Sequence, residues 1–373
     1  MFPDIPPVNG EIDMKVIMTG GGTGGHIYPA IAIAEEIRRR DPKAEILFVG
    51  TKHGMEKDIV PKNGYELKFI TVSGLNRRQP WKNIRTIRDL KKGMDEAKAI
   101  VKQFKPDVVI GTGGYVCGPV VRAASSMGVR TYIHEQNAFP GLTNKLLSRK
   151  VNRVFIAFEE AADYFHTKDR PVVVGNPVRK SFLNVSREAA RRSLGIADSD
   201  FVVLSFGGSL GARKINDEMK IAVERLHDRN GLKIFFVTGR RYYDEITASA
   251  DPGDARVSYM RYIDDMPKYL GACDLAITRS GALTVSEITA CGRASIMIPS
   301  PYVTNNHQYF NAKVAADRAA SILIEEKDLK PGMIADLIGR LMDDRPRVER
   351  MEKNAAAIGR TDAADVMCDI MGI

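Results

Sequence analysis

Three groups of residues in the first half of the chain have types and spacing suited to chemistry. The run Thr19-Gly20-Gly21-Gly22-Thr23-Gly24-Gly25-His26-Ile27-Tyr28-Pro29 joins a short apolar segment to an apolar-periodic one. A loop this rich in glycine lets backbone N–H groups close on an anion, and the following helix turns its positive end to the same place. His26 stands at the exit of the loop, with a side chain that exchanges protons near neutral pH. Pro29 is expected in the first turn of that helix. A second loop of the same plan, Gly111-Thr112-Gly113-Gly114-Tyr115, runs into Gly118-Pro119 and another helix. Tyr115 is either a substrate contact or a packing aromatic. The third group is His134-Glu135-Gln136-Asn137 with Gly141-Leu142-Thr143-Asn144, directly after an apolar strand. Buried without partners, such groups cost several kcal/mol. Glu135 is therefore a candidate general base with Asn137 and Asn144 as orienting groups, or the set is a network that ties the loop together; His134 reads as part of a network.

The second half carries a different set. Gly207-Gly208-Ser209-Leu210-Gly211 precedes a helix from Arg213 and offers Ser209 and backbone N–H groups to a phosphate. In Thr278-Arg279-Ser280-Gly281-Ala282-Leu283-Thr284-Val285-Ser286-Glu287 a strand ends at Thr278 and a helix is expected from about Thr284. Glu287 then lies about one turn in. A carboxylate there can take both hydroxyls of a ribose while loop amides hold phosphates. His307 and Gln308, in the polar run from Asn305, can read sugar hydroxyls. The first loop lacks the Gly-Lys-Ser/Thr of a P-loop. Gly20, Gly22 and Gly25 fit a dinucleotide fingerprint, but Gly50 and Thr51 stand where a ribose-binding acid should end the second strand. Asp198-Ser199-Asp200 precedes a strand and reads as a turn, so no metal is expected to be essential.

These residues need elements to hold them. Apolar strand-like runs alternate with helical patterns throughout, which predicts parallel α/β layers. The expected strands are Lys15–Met18, Ile46–Val49, Leu67–Val72, Val108–Ile110, Thr131–Ile133, Val154–Ala157 and Val172–Val174. The plan then restarts with Val202–Phe206, Lys233–Val237, Val257–Met260, Leu275–Ile277, Ser295–Ile298 and Ser321–Ile324. Helices are expected at 331–342, 346–358 and 363–371. A length of 373 residues suggests two domains, with a boundary in Gly175-Asn176-Pro177-Val178-Arg179. Domains of 1–179 and 180–359 follow, each doubly wound, with ligands expected in a cleft at the strand C-termini.

The net charge of +9 favours an anionic partner. The chain lacks the aromatic-interleaved basic strands of RNA-binding folds, so nucleic acid is not the expected partner. The four cysteines are scattered without metal spacing, and no run has the length of a membrane span. The expectation is a cytoplasmic protein that touches a membrane from its surface. The stretch Arg77, Arg78, Trp81, Lys82, Arg85 and Arg88, with Ile84, Ile87 and Leu90 at helical spacing, suits an anionic lipid surface.

Together these motifs resemble those of the MurG family, the peptidoglycan N-acetylglucosamine transferases, from Met14 to the C-terminal helices. The resemblance rests on Gly20 through His26, Gly113-Gly114-Tyr115-Val116, His134 through Asn137, Gly175 through Arg179, Gly207-Gly208-Ser209 and Arg279 through Glu287. It implies a GT-B fold, two Rossmann-like doubly wound domains with a cleft between them. The last helix, within about 360–373, is implied to pack back on the first domain. It implies inverting transfer of GlcNAc from UDP-GlcNAc to the 4-hydroxyl of the muramyl sugar of lipid I, giving lipid II. It also implies action at the inner face of the cell membrane without a required metal or other cofactor.

Carried over by position, Glu287 matches the donor ribose contact, Ser209 a phosphate contact, and Arg179 with the backbone of Ile263 the uracil contacts. Ala282, Leu283 and Thr284 match the phosphate and sugar loop, and His307 with Gln308 the sugar-hydroxyl readers. Asn137 and Asn144 match donor-sugar or acceptor contacts, and are grouped with Thr23 and Gly24 on the donor side. Gly22, Gly25, Gly113, Gly114 and Tyr115 fall on the acceptor diphosphate. Inversion in one displacement needs a base for the acceptor hydroxyl, for which His26 is the first candidate and Glu135 the second. Leu210 stands where the family has glutamine, and His307 where some members have a second glutamine. The alternatives are a related enzyme with a diacylglycerol acceptor and a non-catalytic nucleotide-sugar-binding protein.

Overall fold

The structure is a computed structural model that describes residues 14–74 and 83–373, and of residues 83–85 and 87 the backbone alone. The chain divides into two units, Met1–Arg179 with Thr361–Ile373, and Lys180–Arg360. The first unit contains β1 (Lys15–Gly20), β2 (Glu45–Gly50), β3 (Glu66–Phe69), β4 (Val108–Gly113), β5 (Arg130–Glu135), β6 (Arg153–Ile156) and β7 (Val172–Val173). They form one seven-stranded sheet in the order β3-β2-β1-β4-β5-β6-β7, parallel throughout. The second unit contains β8 (Phe201–Phe206), β9 (Leu232–Val237), β10 (Val257–Met260), β11 (Leu275–Thr278), β12 (Ala294–Met297) and β13 (Ser321–Leu323). Its six-stranded sheet runs β10-β9-β8-β11-β12-β13, again all parallel.

Parallel sheets covered on both faces require strands that are apolar at successive positions, not alternate ones. In β1, Val16 and Met18 face one core with Ile27, Ile31 and Phe48, while Ile17 faces the other with Leu47, Val109 and Val120. The first of these cores is completed by Met367, Cys368 and Met371 of the terminal helix Ala363–Met371. Arg40 fastens that helix by donating to the Asp369 carboxylate and to the carbonyl oxygens of Asp365 (2.9 Å) and Ile373 (3.0 Å).

Several expected boundaries shift by a few residues, and three differences have a local cause or consequence. The strand expected over Leu67–Val72 ends at Phe69, because the Thr71 N–H donates to the Glu96 carboxylate instead of to a neighbouring strand. Pro29 lies beyond the first turn of its helix, Gly24–Arg40, because Gly24 and Gly25 are themselves helical. The helix expected from Thr284 begins at Ala282, so the loop before it is shorter.

Asp198 and Ser199 lie in a turn, closed by the Asp200 N–H on the Ala197 carbonyl. Arg191, only 4% exposed, donates to the carbonyl oxygens of Asp198 and Asp200 and to the Asp274 carboxylate at 2.7 Å. Asp274 also takes the Val202 N–H at 2.7 Å and lies 3.8 Å from Arg187. Asp274→Ala is therefore expected to cost about 3–5 kcal/mol, because it strands a buried guanidinium. Urea titration followed by circular dichroism measures this.

Candidate active site

In each sheet the connections leave in opposite directions at one point, between β1 and β4 in the first unit and between β8 and β11 in the second. The crevice at the carboxyl ends of such strands is where doubly wound sheets hold ligands. All the glycine loops singled out in the sequence lie at these two points.

In the first unit the loops after β1 and β4 touch. The Gly21 N–H donates to the Gly113 carbonyl at 3.3 Å. Gly113 and Gly114 have φ of +110° and +83°. A Cβ on Gly114 would sit 2.4 Å from the Gly21 oxygen, and one on Gly113 would sit 2.7 Å from Nδ1 of His26. These are backbone conformations and approaches that only glycine allows. The ring of Tyr115 lies against Gly22 and Gly74, so it packs over the first loop.

His26 is the third residue of its helix. Its Nδ1 lies 3.1 Å from the Thr112 carbonyl and 3.0 Å from Oε1 of Gln136. A carbonyl only accepts, so Nδ1 carries the proton and Nε2 keeps its lone pair. Nε2 has no partner among the described residues. The helix has Thr23 as its N-cap and no side-chain cap, which leaves the first-turn amides of Gly24 and Gly25 open to an acceptor.

Glu135 is 1% exposed and is engaged on both oxygens. Oε1 accepts from the N–H and Nδ2 of Asn137, each at 3.0 Å. Oε2 accepts from the Gly141 N–H at 3.0 Å and Nδ2 of Asn144 at 2.9 Å. These bonds brace the 137–144 loop and leave no vacant oxygen for a substrate proton. Asn144 spends its second N–H on the His134 carbonyl at 3.1 Å, and its Oδ1 is buried without a protein partner among the described residues.

His134 is buried and donates from Nε2 to the Gly175 carbonyl at 2.8 Å. Burial pushes its pKa down to about 4 from 6.5, against smaller raising effects of the Gly175 carbonyl and Glu135. The unfolded chain binds this proton as pH falls below 6.5, whereas folded His134 does not until pH nears 4. Stability is thus fully present above 6.5 and falls through that window. About 2 kcal/mol is expected to be lost between pH 7 and pH 5 from this group, measured as the difference between the chain and His134→Gln in urea unfolding.

Sequence reasoning missed Glu56. It lies beyond the second strand, six residues after the position where a ribose acid was sought, and is 1% exposed. It accepts from the Gly22 N–H (3.0 Å), the Thr51 N–H (2.9 Å) and the Thr51 hydroxyl (2.7 Å). The Gly22 N–H, expected at the acceptor diphosphate, is therefore already engaged within the protein, taken up by one of its own side chains. Crowding was the signal: a Cβ on Gly21, Gly50 or Gly54 would run into this carboxylate.

In the second unit a pocket of about 570 Å³ opens at the switch point. Its lining includes Gly207, Gly208, Gly281, Thr284, Ser300 and Gln308. Two helices begin on it, Arg213–Arg225 and Ala282–Ala290, and neither has a side-chain cap. Both turn their N-terminal, positive dipole ends to one volume, which suits a diphosphate. Lys214, a residue the sequence motifs did not single out, also lines it. Arg279 lines it too, but is committed to the carbonyl oxygens of Ile298 and Pro299 and to Glu326. Arg213 is paired with Glu245 at 3.1 Å.

The structure does not bring every assigned donor residue to this lining. Of those in the second unit, Ser209, Ile263, Ala282, Leu283, Glu287 and His307 are outside it. Ser209 is exposed beside Gly208. Glu287 is half-buried and shares a helix face with Leu283 and Thr284, four and three residues back. His307 donates from Nδ1 to the Thr304 carbonyl at 2.8 Å, and Gln308 accepts the Ser300 N–H at 2.9 Å. Leu210 is 67% exposed. Ile263 is buried in the second unit, whereas Arg179 ends the first, its guanidinium 5.2 Å from the Tyr28 ring centre. Arg77, Arg78, Trp81, Lys82 and the Arg85 side chain lie outside the described residues; Arg88 is exposed. Among the described residues no cluster of His, Cys, Asp or Glu could hold a metal, and no helix is long and apolar enough to cross a membrane.

The chain is similar to known proteins along nearly its whole length. The glycosyltransferase family 28 N-terminal domain matches residues 16–156, and the glycosyltransferase family 28 C-terminal domain matches residues 202–367. The UDP-N-acetylglucosamine--N-acetylmuramyl-(pentapeptide) pyrophosphoryl-undecaprenol N-acetylglucosamine transferase of Acetivibrio thermocellus is 46% identical over 96% of this chain and 97% of its own. The protein of the same name from Clostridioides difficile is 44% identical over 95% of this chain and 88% of its own. The crystal structure of Acinetobacter baumannii MurG matches with a TM-score of 0.79 at 29% identity, covering 96% of this chain and 100% of that one.

Proposed function

The chain belongs to the MurG family of N-acetylglucosamine transferases, and we propose that its second unit holds the donor while its first holds the acceptor and the base. It moves GlcNAc from UDP-GlcNAc to the 4-hydroxyl of the muramyl sugar of lipid I, forming lipid II for peptidoglycan synthesis. The observation that carries the division of labour is the pair of uncapped helix N-termini on one pocket in the second unit.

The transfer is a single inverting displacement. Nε2 of His26 takes the proton of the acceptor hydroxyl as that oxygen attacks the anomeric carbon. The departing diphosphate gains negative charge, and the first-turn amides after Ala212 and Gly281, with Lys214 and the Ser209 hydroxyl, stabilise it. Dipoles fixed before the reaction make a metal unnecessary for this step. Glu287 takes the ribose hydroxyls, Gln308 and His307 read the sugar, and Arg179 and the Ile263 backbone meet the uracil. Thr23, Gly24 and Gly25 offer amides or a hydroxyl to the substrates on the first unit, with Tyr115 beside them. Glu135 holds Asn137 and Asn144 in place and does not act as the base.

Membrane contact at the inner face runs through the basic stretch from Arg77 to Arg88. Its continuation supports this: exposed Leu90 is flanked by exposed Lys91 and Lys92.

Labelled UDP-GlcNAc and UDP-glucose, each offered with a lipid I analogue or diacylglycerol, test the substrates. Product is expected only from UDP-GlcNAc with lipid I, with a β linkage by proton coupling at the anomeric centre. An α linkage would overturn the single displacement.

A further inference from the structure

We propose that Gln136 is a positioning residue for the His26 base, and that buried His134 sets which way round the Gln136 amide stands. This rests on the reading of His26 as the base. The Gly175 carbonyl only accepts, so His134 carries its proton on Nε2, 2.8 Å away. Nδ1 of His134 is then an acceptor, and the Gln136 group 2.9 Å from it must be the NH₂. The same NH₂ reaches the His134 carbonyl at 3.1 Å, which demands the same orientation. The other end of the amide is therefore its oxygen, and it faces Nδ1 of His26 at 3.0 Å. Asn176 completes the frame by donating to the Gln136 carbonyl at 3.1 Å.

The line runs Gly175, His134, Gln136, His26, with every donor facing an acceptor. It has two effects on the imidazole. It holds the ring with Nε2 free, and it gives the Nδ1 proton a second acceptor besides the Thr112 carbonyl, which stabilises the imidazolium formed when Nε2 takes a proton. His134 is suited to this place because it stays neutral at working pH, its pKa pushed down to about 4 by burial. The other titratable groups packed around the line are engaged elsewhere. Glu135 is turned to Asn137, Gly141 and Asn144. Glu56 holds Gly22 and Thr51. The Cys117 thiol lies against Thr19 and Gly113, pushed up to about 12 by burial. Tyr115 covers Gly22, and Tyr28 lies beneath Arg179.

The test is the pH profile of kcat for the full chain, for Gln136→Met and for Gln136→Glu, with UDP-GlcNAc and a lipid I analogue. Activity falls as pH drops through the base's pKa. Gln136→Met removes an acceptor, so the acidic limb is expected to move down by about one pH unit, with kcat about tenfold lower. Gln136→Glu places a carboxylate at the Nδ1 proton, so the limb is expected to move up by about one unit or more. KM for UDP-GlcNAc should stay within about twofold, since the donor is held elsewhere. Lower kcat with both limbs unmoved would make Gln136 merely structural and overturn the proposal. Nitrogen-15 NMR of histidine-labelled wild-type protein tests it without any substitution: a His26 protonated on Nε2 and not on Nδ1 also overturns it. A fully active His26→Ala would instead remove the base itself, which separates that failure from this one.

Discussion

Replacing His26 with alanine is expected to lower kcat by about 10²–10⁴-fold, the range for loss of a general base, while UDP binding stays unchanged. The second part follows from the fold. The uncapped helix N-termini and the 570 Å³ pocket belong entirely to the second unit, and His26 belongs to the first. Only His26 leaves a ring nitrogen with no partner among the described residues at the first switch point. Glu135 has both oxygens filled by donors. Its removal is expected to loosen the 137–144 loop, which shows as a lower melting temperature. His26→Ala should melt near the wild-type temperature, because the residue is only partly buried. Steady-state kinetics with a UDP titration checks each part. Wild-type kcat in a folded His26→Ala protein would end the assignment.

The second large effect is expected at Glu287. Two charge-assisted hydrogen bonds to a ribose are together worth about 3 kcal/mol or more. Glu287→Ala should therefore raise KM for UDP-GlcNAc by about 100-fold or more, with a smaller change in kcat. The location supports this. Glu287 follows Thr284 on one face of the helix Ala282–Ala290, whose N-terminus opens on the pocket. A donor carrying 2′-deoxyribose separates a ribose contact from a general packing loss. The wild-type chain should discriminate against it by about tenfold or more, and Glu287→Ala should not. Equal discrimination by both proteins would place the ribose elsewhere.

Much of the fold was legible because buried parallel strands are apolar at successive positions. Val16-Ile17-Met18 and Val202-Val203-Leu204 stand out against any background for that reason. The glycine loops were legible because they end such strands and open helices. What was not legible is where long-range polar partners fall. Nothing near Glu56 in sequence says that it will reach the Gly22 amide, 34 residues earlier in the chain. Glu135 looked like a free acid because its four donors come from a loop whose path no local pattern fixes. Gln136 sat inside a motif read for its neighbours, and its meaning appears only once His26 is set beside it, 110 residues away in sequence. Arg279 stood in a motif without an assigned role, and its carbonyl partners at Ile298 and Pro299 lie beyond the next strand, where no local pattern marks them.

One measurement bears most directly on the central claim: transfer of labelled GlcNAc from UDP-GlcNAc to a lipid I analogue, with and without a chelator. Transfer is expected, at a rate the chelator does not change, as follows if the helix N-termini after Ala212 and Gly281 stabilise the departing diphosphate in place of a metal. Loss of activity with the chelator would contradict the metal-free step, and no transfer under either condition would contradict the function itself.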